Sequence, residues 1–255
     1  MRHQRLKSVH YFFTTAPLPC PYLPDRMERR VVTELAGRDV ESLHDALSLS
    51  GFRRSHGIAY APACPTCNAC LPIRVLAEQF SPTRTQRRIE RLNSDLSWVT
   101  CPAQATEEQY ALFLCYQLGR HGDGEMAKMD FDDYQALVED TPIETQVIEF
   151  RTADEVLVAV CLVDRVCDGL SAVYSFFDPD LDRRSLGTYM VIWLIRRAFE
   201  LGLRNVYMGF WIEACGKMAY KSKFEPYEIY RDGQWASRDG LSPNPQLALP
   251  GIMDS

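Results

Sequence analysis

The segment GLSAVYSFFDPDLDRRSLGTYMVIWLIRRAFELGLRNVYMGFW, residues 169–211, indicates the fold class of this 255-residue chain. It opens with a run rich in β-branched and aromatic residues, which is typical of a strand. The turn residues DPDLDRRS follow, and then a strongly apolar stretch of helical length that ends at Gly202. The segment closes on NVYMGFW, a second buried run. It therefore predicts a strand–turn–helix–strand unit whose two strands lie in one sheet.

The stretches on either side extend this unit into a mixed sheet. Residues 145–151 and 155–163 predict two strands before it, and 213–224 and 226–235 predict a short helix and a closing strand after it. The order is similar to that of the GNAT-type acyltransferase core, although many α/β domains share parts of it. In that core two central parallel strands splay apart, and the acyl donor enters the gap. We therefore expect an α+β chain with a GNAT-type core, whose splayed strands are SAVYSFF and NVYMGFW.

The charge distribution and a change of pattern near Pro102 divide the chain. Residues 1–100 carry 14 Lys and Arg against 9 Asp and Glu, a net charge of +5, within a whole-chain charge of -6. We predict an N-terminal cysteine-bearing, basic α/β region at 1–102, a GNAT-like transferase domain at 103–240 and an irregular tail at 241–255. The negative net charge of the whole chain argues against indiscriminate binding of polyanions such as DNA. A local basic patch can still bind nucleic acid.

The chain has no sequence feature of a membrane or secreted protein. No apolar run approaches the roughly 20 residues that span a bilayer. The N-terminal segment is basic but has no apolar core and no cleavage site, so its pattern does not indicate a signal peptide. A cytoplasmic protein without a membrane partner is predicted, and in that compartment thiols stay reduced.

A basic stripe is predicted on the helix of residues 81–98. Ile89, Leu92 and Leu96 fall on one side of this helix, and four arginines fall on the other: Arg84, Arg87, Arg88 and Arg91. Such a stripe is either a solvated surface or a binding face for a nucleic-acid backbone.

The turn before the long helix tests whether coenzyme A is the acyl donor. GNAT enzymes that use acetyl-CoA hold its pyrophosphate in a loop of the form Arg/Gln-x-x-Gly-x-Gly/Ala at a helix start. Here Arg184 and Gly187 fit that form, but Tyr189 stands in place of the last small residue. The substitution disfavours coenzyme A. The helix start is instead expected to hold the phosphate of a terminal nucleotide.

Six blocks of sequence together resemble one enzyme family. They are CPYLP at 20–24, GFRRS at 51–55, YAPACPTCNACLPIRV at 60–75, SPTRTQRRIERLNSDL at 81–96, YSFFDPDLDRRSLGTYM at 174–190 and GFWIEACGKMAYKSKFEPYE at 209–228. The chain resembles the bacterial leucyl-tRNA–protein transferases, the bacterial branch of the arginyl-tRNA–protein transferase family. The resemblance implies transfer of leucine from leucyl-tRNA to the α-amine of proteins that begin with Asp or Glu, as part of the N-degron pathway. The choice of leucine over arginine as donor rests on the resemblance alone.

That reaction sets physical requirements that residues of the chain can meet. The donor is an activated ester, and an acceptor α-amine with a pKa of about 7.7–8.0 is partly neutral in the cell. Positioning and stabilisation of the tetrahedral oxyanion should therefore dominate, and no cofactor is required. Backbone N–H groups near Ser175 and Phe176 are the candidate donors, with Tyr174 or Tyr220 as hydroxyl partners. Core packing is the alternative role for each tyrosine.

Cations are needed for both substrates. An arginine fork matches the acceptor's carboxylate best, which makes Arg53, Arg54 and Arg74 the candidates. On an α-helix Lys217 and Lys221 would share a face suited to the tRNA acceptor end. The arginine stripe and Arg184 complete the predicted tRNA contacts, and a solvated surface role is the alternative for each of these groups.

Four cysteines form a second candidate site. Cys64, Cys67 and Cys70 are spaced by three in a proline-bounded loop, and Cys20 can supply a fourth thiol. Four thiolates suit tetrahedral zinc or an iron–sulfur cluster. The alternative is a packed cluster of thiols that shapes a substrate pocket beside Arg74. Reduced thiols in the cytoplasm exclude a disulfide.

Two rival functions use the same features. An acetyl-CoA N-acetyltransferase would share the core but is disfavoured by Tyr189. A non-catalytic, metal-containing RNA-binding protein would use the arginine stripe and the cysteines but would leave the splayed strands and residues 209–228 without a purpose.

Overall fold

The computed structural model describes residues 9–122 and 124–238, and the predicted tail at 241–255 lies outside them. The strands are β1 Phe13–Thr14, β2 Leu18–Pro19, β3 Met27–Glu28, β4 Arg30–Glu34, β5 Arg53–Ser55, β6 Ile58–Pro62, β7 Leu71–Leu76, β8 Ser97–Pro102, β9 Thr145–Arg151, β10 Leu157–Val166, β11 Gly169–Phe177, β12 Asn205–Trp211, β13 Tyr227–Arg231 and β14 Gln234–Ser237. The α-helices are α1 Val40–Leu49, α2 Arg84–Leu92, α3 Glu107–His121, α4 Phe131–Glu139 and α5 Leu186–Glu200. Short 3₁₀ segments lie at Ala77–Gln79, Glu125–Lys128, Pro179–Arg184 and Gly216–Lys223.

Eight strands form the central sheet in the order β14-β13-β7-β12-β11-β10-β9-β8. Among these described strands β11 and β12 form the one parallel pair. The α5 helix connects these two strands, as a parallel connection requires. The strand–turn–helix–strand unit predicted from residues 169–211 is therefore at the centre of the sheet.

The parallel pair separates soon after it forms. The paired residues are Gly169–Ser171 of β11 and Asn205–Tyr207 of β12. Beyond Ser171 and Tyr207 the facing edges of the two strands are unpaired, which confirms the predicted splay. On its other side β12 stays paired with β7 as far as Trp211, across an irregularity between Tyr207 and Phe210.

Helices cover both faces of the sheet because side chains alternate along each strand. In β10, Ala159 and Cys161 belong to the large core that includes Met190 and Ile195 of α5. The intervening Val160 and Leu162 belong to a second core built on α3 and α4. The α5 helix also packs on α2, so α2 and α5 cover one face and α3 and α4 the other.

The N-terminal part contributes a second sheet of order β1-β4-β6-β5, the α1 helix and the β2–β3 hairpin. Its strand β7, however, lies inside the central sheet, between β12 and β13. The α1 helix begins after its N-cap residue Asp39, and Thr106 and Gln109 form a capping box at the start of α3. The division into regions at residue 102 stays a prediction.

One prediction of local structure was wrong: the helix expected over 81–98 ends at Leu92, and Ser97–Pro102 form the edge strand β8. The short helix expected over 213–224 is present as a 3₁₀ helix at Gly216–Lys223, and the closing strand expected over 226–235 is present as the hairpin β13–β14. In the described parts of the chain no helix has both the length and the apolar character needed to cross a membrane.

Candidate active site

Arg53 occupies the gap between the splayed strands. Its Nη2 atom donates hydrogen bonds of 3.0 Å to the carbonyl oxygens of Ala172 and Val173 on β11. The other side of the guanidinium lies against Gly209 of β12, so closely that a Cβ at position 209 would overlap Nη1. Arg53 therefore bridges two strand edges that no longer bond each other.

The local backbone explains why one arginine can reach both strands. Successive carbonyls of a regular strand point to opposite edges, but the β10–β11 register shifts between Leu162 and Val163, so β11 bulges at Val173. Two successive carbonyls then face the gap. Gly209 has φ +74°, a conformation that suits glycine. The bulge and the glycine together make the cavity into which the guanidinium fits.

Lys221, in the segment that follows β12, lies close to the same gap. It is 8% exposed, and its Nζ donates a 2.6 Å hydrogen bond to the carbonyl oxygen of Phe210. Burial lowers the pKa of Lys221 to about 7, and the positive charge of Arg53 contributes to that lowering. The prediction that Lys217 and Lys221 share a face was wrong, because residues 216–223 form a 3₁₀ helix in which Lys217 is exposed and Lys221 is buried.

Two tyrosines lie near the gap, Tyr174 on β11 and Tyr220 on the segment that follows β12. Tyr174 packs on Phe113, and its hydroxyl accepts a 2.5 Å hydrogen bond from Gln117 of α3. Burial, with a smaller contribution from nearby Tyr116, raises the pKa of Tyr174. Burial also raises the pKa of Tyr220, while Arg53 opposes that rise. Both hydroxyls are thus held protonated near the gap.

Ser175, the remaining predicted catalytic position, is exposed on β11 beyond the last residue paired with β12. Its strand edge faces the gap that Arg53 bridges. The sequence did not single out Tyr116 or Gln117 of α3, because nothing in an apolar helix pattern separates a residue that faces the gap from one that faces the core.

Arg54 is committed to a buried ion pair, which corrects its predicted role. Its Nε and Nη2 donate to the two carboxylate oxygens of Asp164 at 2.7 and 2.8 Å, and its Nη1 donates to the carbonyl of His56. Arg54 is 5% exposed. Thr145 donates to the same carboxylate at 2.7 Å. The ion pair joins the N-terminal sheet to β10. Because Asp164 occupies the guanidinium N–H groups that would bind a carboxylate, Arg54 cannot bind the acceptor in the same way.

Arg74 is likewise occupied. Its Nε and Nη2 donate to Glu228 Oε2 at 2.9 and 2.7 Å, and Nη1 lies 3.8 Å from Asp168. The guanidinium also stacks over Trp235, 4.5 Å from the ring centroid. Two acidic groups already balance its charge, so the predicted recognition of an acceptor carboxylate by Arg74 finds no support in this geometry.

The basic stripe is present on the surface of α2. Its four arginines lie at the protein surface: Arg84, Arg87, Arg88 and Arg91. On the opposite side of the helix Gln86 is buried and donates a 3.0 Å hydrogen bond to the carbonyl of Lys223. Arg184 lies nearby and forms a two-bond ion pair with Asp95 at 2.9 and 2.7 Å.

An open cavity of about 1110 Å³ lies between α2, the first turn of α5 and the segment that follows β12. Its walls combine hydroxyl and amide side chains, including Thr83, Thr85 and Thr188, with the apolar side chains of Ile89 and Phe224. Tyr220, Lys223 and Glu225 complete the lining together with Ser81 and Gln86. Tyr220 also feels the charge of Arg53. This cavity therefore lies between the arginine stripe and the gap.

The four predicted cysteines line one pocket. Burial raises the pKa of Cys70 to about 12, and Cys64, Cys67 and Cys20 contribute to that rise, which places the four thiols near one another. The Cys64 sulfur accepts a 3.4 Å hydrogen bond from the backbone N–H of Arg29. Within residues 9–122 and 124–238, however, no group of three or more His, Cys, Asp or Glu side chains is arranged to hold a metal ion.

Comparison with known proteins agrees with this arrangement. Residues 18–88 match the family pattern "Arginine-tRNA-protein transferase, N terminus", and residues 108–231 match its C-terminal counterpart. Among curated relatives, an "Aspartate/glutamate leucyltransferase" of Paramagnetospirillum magneticum is 55% identical over 92% of this chain and 96% of its own length. A protein of the same name from Gluconacetobacter diazotrophicus is 57% identical over 89% and 88%.

A solved structure supports the fold. The crystal structure of FemX superposes with a TM-score of 0.51 over 82% of this chain and 71% of that one, at 7% identity. At that identity the likeness concerns the fold alone, and the predicted α+β architecture with a GNAT-type core is confirmed. With both of its patterns matched and relatives above 50% identity, the chain belongs to the arginine-tRNA-protein transferase family, whose members are aminoacyl-tRNA–dependent transferases.

Proposed function

We propose that this chain transfers leucine from leucyl-tRNA to the α-amine of cytoplasmic proteins that begin with Asp or Glu, which marks them for the N-degron pathway. The activity named for its curated relatives supports the choice of donor and acceptor. The observation that carries the proposal is the gap between β11 and β12, where Arg53 holds a fixed positive charge between unpaired strand edges.

The reaction in this gap is an aminolysis. The neutral α-amine of the acceptor attacks the ester carbonyl carbon, an amide N–C bond forms, and the bond from that carbon to the ribose oxygen breaks. The proton lost by the amine ends on the ribose oxygen. Negative charge gathers on the carbonyl oxygen in the transition state, where Arg53 and backbone N–H groups near Ser175 and Phe176 stabilise it.

The tyrosines position the groups around this oxygen. Tyr174 and Tyr220 are protonated at cellular pH, because the ordinary pKa of tyrosine is about 10 and the surroundings of both side chains raise it, so their hydroxyls can donate hydrogen bonds. Because the acceptor amine has a pKa of about 7.7–8.0, part of it is neutral without a dedicated base. Orientation by the gap then supplies most of the acceleration.

The donor tRNA follows a path from α2 to the gap. The surface arginines of α2 contact phosphates of the acceptor stem, with Lys217 and Arg184 as further cations. The cavity between α2 and α5 accepts the terminal nucleotide, and its hydroxyl and amide groups suit ribose and base edges. Tyr220 lines this cavity and is near enough to Arg53 to feel its charge, which supports a position of the ester beside Arg53.

The transfer itself uses no cofactor in this proposal, because the ester bond of the donor already provides the driving force. Zinc or an iron–sulfur cluster at Cys20, Cys64, Cys67 and Cys70 stays a separate prediction. Elemental analysis and an absorption spectrum of protein purified without oxygen check it. Less than one metal equivalent per chain together with full transfer activity would contradict a required metal.

Radiolabelled leucyl-tRNA and arginyl-tRNA, each offered with peptides that begin with Asp, Glu, Lys or Ala, test the proposal. We expect leucine on the Asp and Glu peptides and no other product. Arginine on the same peptides would correct the donor. Turnover with acetyl-CoA would favour an acetyltransferase, and tRNA binding without transfer would favour an RNA-binding protein.

A further inference from the structure

The three arginines predicted to bind the acceptor carboxylate all have partners within the described chain. Arg53 donates to two backbone carbonyls, Arg54 pairs with Asp164, and Arg74 pairs with Glu228. An acceptor that begins with Asp or Glu still brings one negative side chain close to the gap. Arg53 already serves the developing oxyanion in the proposed reaction, so recognition of this side chain needs another guanidinium or ammonium group whose charge is not paired.

Arg29 meets that requirement. It lies between β3 and β4, and its Nε atom is buried without a hydrogen-bond partner among the described residues. Within residues 9–122 and 124–238 it forms no ion pair. A buried donor with no acceptor is costly, and such an atom in a native protein needs an explanation.

The backbone of Arg29 is held firmly in place. Its N–H donates to the Cys64 sulfur at 3.4 Å, and its carbonyl accepts from the N–H of Ala63 at 2.7 Å. The cysteine loop therefore fixes the position from which the side chain extends. Rigid presentation lowers the entropic cost of binding a ligand.

The pocket that Arg29 lines is positively charged. It contains about 610 Å³ of empty space open to solvent, and its lining residues include Arg26, Arg29, Arg30, Tyr22, Tyr60 and Phe210. Glu28, the carboxylate among the lining residues that the structure describes, is taken by Arg30 through bonds of 2.8 and 3.1 Å. No ion pair of the described chain compensates the charges of Arg26 and Arg29.

This pocket adjoins the gap. Phe210 belongs to the splayed end of β12, and its carbonyl is the group that Lys221 binds. Tyr60 links the two spaces: it lines the pocket, pairs with Arg53 in the register of β5 and β6, and packs on Phe210 with ring centroids 5.8 Å apart. A residue whose α-amine lies in the gap can therefore place its side chain in this pocket.

We propose that Arg29 binds the side-chain carboxylate of the acceptor's N-terminal Asp or Glu, with the cysteine loop acting as its support. The inference rests on the proposed transfer to acidic N-termini and names the residue that makes the acceptor choice. It also gives the cysteine-bearing loop a role that does not depend on whether the thiols hold a metal.

The test compares peptides that begin with Asp and with Asn, which have nearly the same shape and differ in charge. The ratio of their kcat/KM values is measured with leucyl-tRNA for the unchanged protein, Arg29→Met and Arg29→Lys. We expect Arg29→Met to lower the Asp/Asn ratio by roughly thirtyfold or more, mainly through KM for the Asp peptide. Arg29→Lys keeps the charge but loses the fork, so it should give an intermediate ratio.

Arg38→Met is the matched control, because Arg38 is exposed and lines no pocket described above. Its Asp/Asn ratio should equal that of the unchanged protein. An unaltered ratio in folded Arg29→Met protein would overturn the proposal for Arg29. Failure of the proposed function would look different, because the unchanged protein would then transfer no leucine to either peptide.

Discussion

The guanidinium of Arg53 fills the space that a Cβ would occupy on Gly209. No residue other than glycine at position 209 is compatible with this placement, because the Cβ and Nη1 atoms would overlap. The arginine in turn satisfies two carbonyls that the separation of β11 and β12 leaves without a strand partner. The open gap and the charge inside it therefore depend on one glycine.

Replacing Gly209 with alanine should displace Arg53 and impair transfer. The new methyl group collides with the guanidinium, and φ +74° is unfavourable for alanine. We expect a loss of stability of about 1–3 kcal/mol and a fall of at least roughly tenfold in kcat. Urea unfolding and single-turnover transfer measure the two effects. Gly57→Ala is the control, since a Cβ there meets no described atom within 4 Å; equal activity of the two variants would refute the role given to Arg53.

Lys221 should give the protein a distinctive pH dependence of stability. Its pKa is about 7 in the folded protein and about 10.4 when unfolded. Between those values the unfolded chain binds more protons, so this group makes the free energy of unfolding increase as pH rises. From about pH 7 to about pH 9.5 that free energy should increase by about 2–3 kcal/mol more in the unchanged protein than in Lys221→Met.

Urea unfolding at the two pH values measures this difference. Lys223→Met serves as the control, because Lys223 is exposed on the same segment. Parallel pH profiles for the unchanged protein and Lys221→Met would show that Lys221 is not buried as described.

Arg54→Met should weaken the fold while leaving the choice of acceptor intact. The substitution leaves Asp164 buried without its guanidinium partner, which costs about 3–5 kcal/mol. The double variant Arg54→Met with Asp164→Asn should recover part of that loss. Chemical denaturation measures the stability, and the Asp/Asn peptide ratio measures specificity. A relaxed ratio at unchanged stability would restore Arg54 as the acceptor-binding residue.

The arginine stripe should contribute to the binding of leucyl-tRNA and not to the binding of the acceptor peptide. Arg88→Ala is expected to raise KM for leucyl-tRNA about threefold or more and to flatten the dependence of log KM on log salt by roughly 0.7–0.9, the value of one phosphate contact. KM for the peptide should not change. Titrations of transfer rate against tRNA at several salt concentrations provide the check, with Arg38→Ala as control. Identical salt slopes for Arg88→Ala and the control would leave the stripe a solvated surface.

Local patterns predicted the centre of the fold well. The apolar run of α5 between two β-rich runs is long and unambiguous, and the capping box at Thr106 has a clear sequence signature. The same reasoning failed at 93–98, where the apolar Leu96 extended a helical pattern beyond its true end at Leu92. It failed again at 216–223, because α-helical and 3₁₀ segments differ by too little in sequence for spacing to separate Lys217 from Lys221.

The partners of charged residues were beyond the reach of sequence patterns. Arg54 meets Asp164 110 positions later, and Arg74 meets Glu228 154 positions later. No spacing rule connects such pairs, so three arginines in similar motifs looked equally free. Arg29 lies outside the motifs that marked those three arginines. Its Nε is buried without a hydrogen-bond partner among the described residues, and this is a property of the fold that no local sequence pattern predicts.

A crystal structure with a bound analogue of the donor tests most directly whether transfer occurs in the gap between β11 and β12. In this analogue, leucine is joined through a stable amide to the 3′ position of adenosine. We predict that the leucyl carbonyl lies beside the Arg53 guanidinium and that the adenosine lies in the cavity between α2 and α5. A leucyl group bound away from the splayed strands would contradict transfer at this site.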